Sequence, residues 1–423
     1  MRNHLMMVSL VGIMVVTACD AGFTGTPAAD IPTIGINAPI PLQSVLHVVY
    51  IKNGDAWLWI EGSPGRQITN MGCVQQVAIS NDGEVIAFEC GDELYAINAE
   101  GTPEETKPRW LMDRNYLQSL SPVVKYEVKI GSFGFSPGDS PGGHFLFLNT
   151  FTIGGIGNED LFRINADNGI PVRVFPPGEG GTFSLSRDGQ WIAFSQPNKL
   201  ILGHSDGTDM ITVDTFPPLS GFGTREIPEF IWGSDGFFTI TPVLDSVDQL
   251  LGIKQLAYVS HDGVLHPVME INAPLYTETH ISPDGQRVAY VWDNGDLKDL
   301  HIVDSRVDND FLFSSYPSDN FGFLDWTPDS EHFVVWLNDY SRQYTVYRPL
   351  ITSFTNPGFR FLTNQDAMPE TLRWIDSSRY LYVGLDGRLI LGRCSEAVCP
   401  EQIAEIDTFS ASPEYGFALV SPR

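Results

Sequence analysis

One pentapeptide, Gly203-His-Ser-Asp-Gly207, has the G-x-S-x-G spacing of a serine nucleophile. That chemistry needs a sharp strand-to-helix turn that exposes the hydroxyl, with acid and histidine partners later in the chain. Here the flanking runs, residues 200–202 and 210–213, are apolar in the manner of strands, and no helical pattern follows. We therefore predict a hairpin turn at this site, and a protein that is not an enzyme.

Two glycine clusters and two acidic turns are the other candidates for ligand chemistry. The clusters at residues 154–157 and 178–181 do not open helices, which a phosphate cradle requires. The acidic turns at residues 293–296 and 308–310 offer oxygen ligands but lack the twelve-residue EF-hand pattern. We predict solvated turns and no cofactor or metal, with Ca²⁺ as the alternative.

Cys19 is the residue with the clearest predicted modification. Arg2 precedes a short apolar run, residues 5–16, which is too short for a mature membrane span but suits a signal peptide. The following Val16-Thr-Ala-Cys19 resembles the lipobox of bacterial lipoproteins. The resemblance implies export and a lipid, palmitate included, on Cys19 that anchors the chain to the outside of the bacterial cell membrane. An ordinary signal peptide with an incidental cysteine is the alternative.

The chain accordingly divides into a signal peptide (1–18), a lipidated cysteine with a flexible tether (19–44) and one folded domain (45–423). The tether is rich in Gly, Thr, Pro, Ala and Ile and lacks periodicity. The sequence has 52 acidic against 25 basic residues, a net charge of −27. Because such a surface repels phosphates, we predict no nucleic-acid partner.

Four further cysteines fit an oxidising compartment. Proximity in the sequence favours the pairs Cys73–Cys90 and Cys394–Cys399. A zinc site is the rival interpretation, but no C-x-x-C and no nearby histidine pair supports it.

A repeat organises most of the chain. Residues 77–88, 183–194 and 279–290 each combine an apolar strand, a Ser-x-Asp-Gly turn and a second strand with a central alanine. Weaker copies bring the number of Ser or Trp landmarks to eight: Ser80, Ser136, Ser186, Trp232, Ser282, Trp326, Trp374 and Ser412. Further strands and tight turns follow each landmark, and four-stranded units repeated radially make a β-propeller.

These residues resemble the TolB-like propellers, whose repeat is called PD40 or WD40-like. The resemblance covers residues 45–421 and implies an all-β propeller of four-stranded blades. The landmarks favour eight blades, with seven as the alternative. Strands from residues 45–69 and from residues 409–420 should share one blade and close the ring.

Polar residues cluster where the innermost strands begin. A binding site at this channel mouth would use the following side chains: Gln76, Glu229, Glu278, His280, Asp325, Glu370 and Arg373. Long insertions at residues 113–129, 151–159, 216–226 and 243–252 emerge on the same face of the ring, here called the looped face. We predict a module that binds or scaffolds an envelope protein or peptide there. The alternatives are a glycan-active or other enzyme at the channel mouth, and a sensor of a small ligand or Ca²⁺.

Replacing the lipid acceptor tests the anchor. Cys19→Ser should release the chain from membranes or leave it unprocessed, because the change removes the only predicted acceptor. Cell fractionation and mass spectrometry of the N-terminal peptide measure this, with Thr17→Ser, which keeps a small residue in the motif, as the control. A Cys19→Ser chain that stays membrane-bound with unchanged mass would refute the lipobox prediction.

Overall fold

The alternating apolar residues of the repeat form β-strands in the computed structural model. It describes residues 44–101, 103, 106–120, 127–138, 143–152, 158–196, 198–217, 229–244, 250–274, 277–307, 309–317, 321–338, 347–355, 358–395, 398–409 and 414–421. Within these residues, 32 strands form eight four-stranded antiparallel sheets. The protein is therefore an eight-bladed β-propeller, which confirms the predicted fold and blade number.

Blades are numbered along the chain from the one that contains the first strand. Blade 1 contains β1 (Val45–Lys52), β2 (Asp55–Ile60), β3 (Arg66–Gln67) and β32 (Tyr415–Val420). Blade 2 contains β4 (Val74–Ile79), β5 (Val85–Cys90), β6 (Leu94–Asn98) and β7 (Arg109–Met112). Blade 3 contains β8 (Val128–Phe135), β9 (Phe145–Thr152), β10 (Asn158–Asn165) and β11 (Ile170–Arg173). Blade 4 contains β12 (Thr182–Leu185), β13 (Trp191–Gln196), β14 (Lys199–His204) and β15 (Ile211–Thr215).

The second half of the ring repeats this order. Blade 5 contains β16 (Phe230–Trp232), β17 (Gly236–Leu244), β18 (Leu250–Ser260) and β19 (Leu265–Ile271). Blade 6 contains β20 (Thr279–Ile281), β21 (Arg287–Asp293), β22 (Leu297–Asp304) and β23 (Asn309–Pro317). Blade 7 contains β24 (Phe321–Trp326), β25 (His332–Asn338), β26 (Tyr347–Ser353) and β27 (Arg360–Phe361). Blade 8 contains β28 (Arg373–Trp374), β29 (Arg379–Val383), β30 (Arg388–Arg393) and β31 (Glu401–Thr408).

Helical structure in the described residues is limited to the six-residue α1 (Arg114–Ser119) and a 3-10 turn (Pro369–Thr371). Asp113 caps α1 by accepting the Tyr116 N–H at 2.7 Å, and Leu117 is fully buried between blades 2 and 3. A helix of membrane-spanning length and hydrophobicity is absent from the described part of the chain.

The core is a ring of apolar layers between blades. The described buried residues form eight clusters, and each cluster joins two neighbouring blades. Ala87, Ala193 and Ala289, at the centre of the second strands, are fully buried in three of these layers. Their small side chains allow the close approach of neighbouring sheets that the repeat predicted.

The Ser-x-Asp-Gly turn is held by its own polar side chains. In blade 2 the Ser80 hydroxyl donates to Asp82 Oδ1 (2.7 Å), which also accepts the Glu84 N–H (3.1 Å). The Val85 N–H donates to Ser80 Oγ (3.0 Å), and Gly83 supplies a φ of +72°. Serine and aspartate repeat this arrangement in blades 4 and 6. The turns therefore have a structural role on what we call the turn face, opposite the looped face.

The landmarks mix two different positions. The residue after each inner strand donates its N–H to the second strand, as Ser80 does to Val85 and Gly233 does to Gly236. Thr327 and Ile375 hold this position in blades 7 and 8, so the three tryptophan landmarks lie one residue earlier, inside the strand. The indole N–H of Trp326 donates to His280 O in the preceding blade (3.0 Å), and that of Trp232 donates to Ser184 Oγ (3.1 Å). These two tryptophans thus link blades.

The ring closes through the two ends of the folded region, as predicted. β32 is the innermost strand of blade 1 and pairs antiparallel with β1, from Val45 opposite Val420 to Tyr50 opposite Tyr415. The Lys52 ammonium and the Tyr50 hydroxyl both bind Asp407 of blade 8, at 2.6 and 2.9 Å. Among the described residues the C-terminal part contributes one strand, β32, to blade 1.

The predicted C-terminal landmark is wrong. Ser412 lies outside the described residues, between the last strand of blade 8 and β32. Ser421, which follows β32 directly, occupies the position equivalent to Ser80.

Both predicted disulfides are confirmed. Cys73 and Cys90 are bonded, with 5.0 Å between their Cα atoms, where they join the start of β4 to the end of β5. Cys394 and Cys399 are bonded across 4.4 Å, between β30 and β31 of blade 8. Each bond therefore links neighbouring strands of a single blade.

Removing β32 tests the closure. Deleting residues 414–423 leaves the edge of β1 unpaired and uncovers parts of blades 2 and 8. We expect aggregation or loss of a cooperative thermal melt, measured by size-exclusion chromatography and calorimetry. Deleting residues 422–423, beyond β32, is the control. A shortened chain that stays monomeric with an unchanged melt would contradict closure by β1 and β32.

Candidate functional site

The serine of the G-x-S-x-G sequence belongs to a hairpin turn. Ser205 lies between β14 and β15, and its side chain is buried. Its hydroxyl donates to the backbone oxygen of Gly189 at 2.7 Å. The hydroxyl therefore joins two turns within blade 4 and is not presented as a nucleophile.

The inner strands place most of the predicted channel-mouth residues at two equivalent positions. Counted back from the residue that follows each inner strand, Gln76, Glu229 and Glu278 lie four residues earlier. By the same count His280, Asp325 and Arg373 lie two residues earlier. Because neighbouring blades carry these positions side by side, the residues of blades 5 to 8 form one group, here called the channel-mouth cluster. Its members are Glu229, Glu278, His280, Asp325 and Arg373.

Gln76 and Glu370 stand apart from this cluster. The Gln76 amide nitrogen donates to Glu89 Oε2 (3.0 Å) and to Gly131 O (2.9 Å), which connects blades 2 and 3. Blade 2 lies across the ring from blade 6, so Gln76 is not a neighbour of Glu278. Glu370 is exposed on the 3-10 turn, one residue outside the equivalent positions.

Glu229 is the most perturbed acid of the cluster. Burial raises the pKa of its carboxyl group to about 8. The Ile281 N–H, which donates to Oε2 at 2.5 Å, opposes this rise. The charges of Asp325 and Glu278 raise this pKa further. Among the described residues no cationic side chain forms an ion pair with Glu229. Near neutral pH the group therefore binds a proton in place of a counter-ion.

Asp325 and Arg373 continue the cluster into blades 7 and 8. Surrounding protein raises the pKa of Asp325 to about 6, opposed by the Trp326 N–H and by the charge of Arg373. The Asp325 side chain is nevertheless exposed, so its carboxylate is open to water. The Arg373 guanidinium donates to its own backbone neighbours, Glu370 O (2.8 Å) and Leu372 O (2.7 Å).

His280 adds a neutral ring to this acidic surface. Burial lowers its pKa, and the positive charge of Lys254 lowers it further while Glu278 opposes both effects. The imidazole stacks on Phe323 with 4.7 Å between ring centroids, and Nε2 lies 3.7 Å from Glu278 Oε1.

Lys254 is the residue that sequence reasoning missed. It lies in β18 with 1% of its surface exposed, and its ammonium group donates to Thr277 O. Burial lowers its pKa to about 7, and the charge of Glu278 opposes this. A single lysine in the otherwise uncharged strand Leu250–Ser260 was the available signal.

A cavity of about 380 Å³ between blades 6 and 7 adjoins the cluster. Its walls combine acidic groups, one lysine and aromatic rings: Glu278, His280, Asp293, Lys298, Phe321, Phe323 and Trp336. A Cβ atom on Gly322 would come within 2.2 Å of the Trp336 indole nitrogen, so glycine is what lets the ring lie against β24. The cavity thus offers carboxylates beside flat apolar surfaces.

The other predicted features are only partly described. Asp293 Oδ1 accepts the Gly295 N–H at 3.0 Å, and Asp310 binds the Tyr290 hydroxyl (2.7 Å) and His301 (2.9 Å), whereas Asp308 lies outside the described residues. Parts of the four predicted insertions also lie outside the described residues, namely residues 121–126, 153–157, 218–226 and 245–249. The predictions for residues 1–43, Cys19 among them, also concern residues outside the described part of the chain.

Comparison with known proteins supports the fold. No protein-family profile and no curated protein sequence matches the chain. The solved Dos1 propeller is 12% identical with a TM-score of 0.50, over 86% of this chain and 87% of its own. A eukaryotic initiation factor is 13% identical (TM-score 0.48, 86% and 85% covered), and TolB from Acinetobacter baumannii is 10% identical (0.36, 89% and 66%). TolB proteins are thus among the matching structures, whereas membership of the TolB-like repeat family stays a prediction.

Glu229 makes stability depend on pH. Its pKa of about 8 lies above that of a carboxyl in an unfolded chain, about 4.3. Protonated Glu229 therefore contributes stability that is complete below the unfolded pKa and is lost as the pH rises through about 8. At about pH 5 the melting temperature of Glu229→Gln should be about equal to that of wild type. At about pH 9 it should be higher than that of wild type by on the order of a few degrees.

Melting curves of Glu414→Gln, an exposed acid, serve as the control for that comparison. The difference in melting temperature between this variant and wild type should be the same at both pH values. An equal effect of Glu229→Gln at both pH values would contradict the buried, protonated carboxyl.

Proposed function

We propose that this protein is an extracytoplasmic binding module, anchored through lipid on Cys19, that captures a cationic segment of an envelope protein or peptide at the channel-mouth cluster and its cavity. The anchor is supported by the lipobox resemblance of Val16-Thr-Ala-Cys19. A tether of about 25 residues has a reach of roughly 25–30 Å, which leaves the looped face free to meet a partner near the membrane.

The charge balance of the cluster selects a cation. The cluster holds three carboxyl groups, on Glu229, Glu278 and Asp325, and one guanidinium, and the protonated Glu229 adds its charge when a bound cation displaces its proton. Burial disfavours the charged forms of His280 and Lys254, so neither offsets the acids fully. The net charge of −27 extends the same preference over the whole molecule and steers basic partners toward it.

The adjoining cavity fits the same ligand. An aromatic face attracts a Lys ammonium or Arg guanidinium through cation–π interaction, and the half-buried Trp336 provides such a ring. A space of about 380 Å³ holds one or two side chains, which suits an exposed segment of a larger partner better than a whole domain.

The observation that carries the proposal is the group of acids formed by Glu278, Asp325 and Glu229, in which Glu229 has no ion-pair partner among the described residues. A cation bound beside it favours the ionised form and lowers its pKa. Binding near pH 7 must then release protons. Calorimetric titration of lysine- and arginine-rich peptides, in buffers of different ionisation enthalpy, measures that release.

Matched variants locate the binding. Glu278→Gln combined with Asp293→Asn should weaken a basic peptide at least tenfold, or about 1.4 kcal/mol, because both acids line the cavity. Glu331→Gln combined with Glu100→Gln removes the same number of charges from exposed turns on the other face. These control changes should leave the affinity unchanged. Equal losses in both double variants, or tighter binding of acidic peptides, would overturn the proposal.

A second function, acid–base catalysis at the channel mouth, is favoured by one observation. Glu229 and Asp325 are carboxyl groups whose pKa values, about 8 and about 6, lie near neutrality. Turnover of a glycan panel that is lost in both Glu229→Gln and Asp325→Asn would favour the enzyme. Peptide capture without turnover favours the binding module.

A further inference from the structure

A histidine between blades 2 and 3, on the turn face, is surrounded by carboxylates. His144 directly precedes β9, and its Nε2 lies 2.9 Å from Asp82 Oδ2 and 4.0 Å from Glu84 Oε2. The three candidate ligand atoms all lie within 4.8 Å of one another. This group is separate from the channel-mouth cluster, and the proposed function does not involve it.

The orientation of the imidazole is fixed from its other side. His144 Nδ1 lies 2.9 Å from Asp167 Oδ1, and the His144 backbone N–H donates to Asp167 Oδ2 at 2.9 Å. A histidine that binds a metal ion commonly donates its second ring N–H to a carboxylate, which fixes the tautomer and makes the free nitrogen a better ligand. Asp167 therefore directs Nε2 toward Asp82 and Glu84.

Asp82 is held by its turn in a way that points one oxygen at the histidine. Oδ1 accepts from Ser80 and from the Glu84 backbone, while Oδ2 faces His144. The aspartate of the equivalent turn in blade 6, Asp284, makes the same Oδ1 bonds, but glutamine (Gln286) follows where blade 2 has Glu84. Blade 2 thus carries a second carboxylate two residues after the turn aspartate, where blade 6 has an amide.

The distances fit a transition-metal ion. Ligand bonds of about 2.0–2.2 Å in tetrahedral geometry place neighbouring ligand atoms about 3.4 Å apart. The Asp82–His144 distance of 2.9 Å must widen and the Glu84–His144 distance of 4.0 Å must shorten, each by less than about 1 Å. One imidazole and two carboxylates suit zinc or manganese better than calcium or magnesium, which prefer oxygen alone.

An open space adjoins this set of ligands. Asp82 and His144 line a cavity of about 1020 Å³, whose walls come from blades 2, 3 and 4 and from the residues 419–421. Three protein ligands on one side and an accessible cavity on the other is the arrangement of metal sites that keep a coordination position for water or a ligand.

We propose that Asp82, Glu84 and His144 bind one divalent zinc or manganese ion, with Asp167 as the positioning residue, at the edge of the turn-face cavity. Calorimetric titration of the chelator-treated full chain with Zn²⁺ and Mn²⁺, in excess Mg²⁺ to suppress unspecific binding to an acidic surface, measures affinity and stoichiometry. We expect one saturable site per chain. The visible spectrum of the Co²⁺ form should show nitrogen and oxygen ligation of low symmetry.

Variants distinguish a metal-binding site from a cluster that is held together by ion pairs alone. His144→Gln should abolish the saturable site, and Asp167→Asn should weaken it by about 10- to 100-fold. Asp284→Asn, which alters the equivalent turn in blade 6, should leave it unchanged. Wild-type protein without a saturable site, or a site that survives His144→Gln, would overturn the proposal and make the group an ion-paired bridge between blades. The wild-type titration needs no variant to fold.

Discussion

The pairing of β1 with β32 is the constraint on which the remaining structure depends. Each blade is stable because its two faces pack against neighbours, and this holds for blade 1 only when the two ends of the folded region meet. Leu46, Val48 and Tyr50 pack toward blade 8, whereas Val49 and Ala418 pack toward blade 2. One strand pair therefore places its side chains in two of the eight apolar layers, and an open ring would lose both.

A closed ring also explains how charged groups come to be buried at the channel mouth. Glu229 of blade 5 accepts from Ile281 of blade 6, and Trp326 of blade 7 donates to His280 O of blade 6. These bonds link the inner strands of three neighbouring blades. Burial of Glu229 and Lys254 opposes folding in their charged forms, and the surrounding apolar layers offset that cost.

The fold could be predicted from the repeat because the signals of the repeat are local in the sequence. Serine, aspartate and glycine of the turn lie within five residues, and both disulfides close short loops. The blade type, the number of blades and the disulfide pairs could therefore be predicted without long-range contacts. The position of each landmark relative to its inner strand could not be predicted, since serine and tryptophan both mark the end of an inner strand. Only the hydrogen bonds across blades show that tryptophan lies one residue earlier.

The candidate sites show the same division. Glu229, Glu278, His280 and Asp325 were predictable because the repeat gives their position in each blade. Lys254 was not, since its environment comes from Thr277 in the link to the next blade. His144 and Asp82 are 62 residues apart and meet only because blades 2 and 3 are neighbours. Counting within one repeat cannot show such a contact.

Native-state hydrogen exchange of the β1 and β32 amides tests the closed ring most directly. If this pairing holds the ring together, these amides should exchange only through global unfolding, with the same opening free energy as the central amides of β5. Exchange of β32 at a much lower free energy, as for a fraying terminus, while the rest of the ring stays protected, would contradict the account.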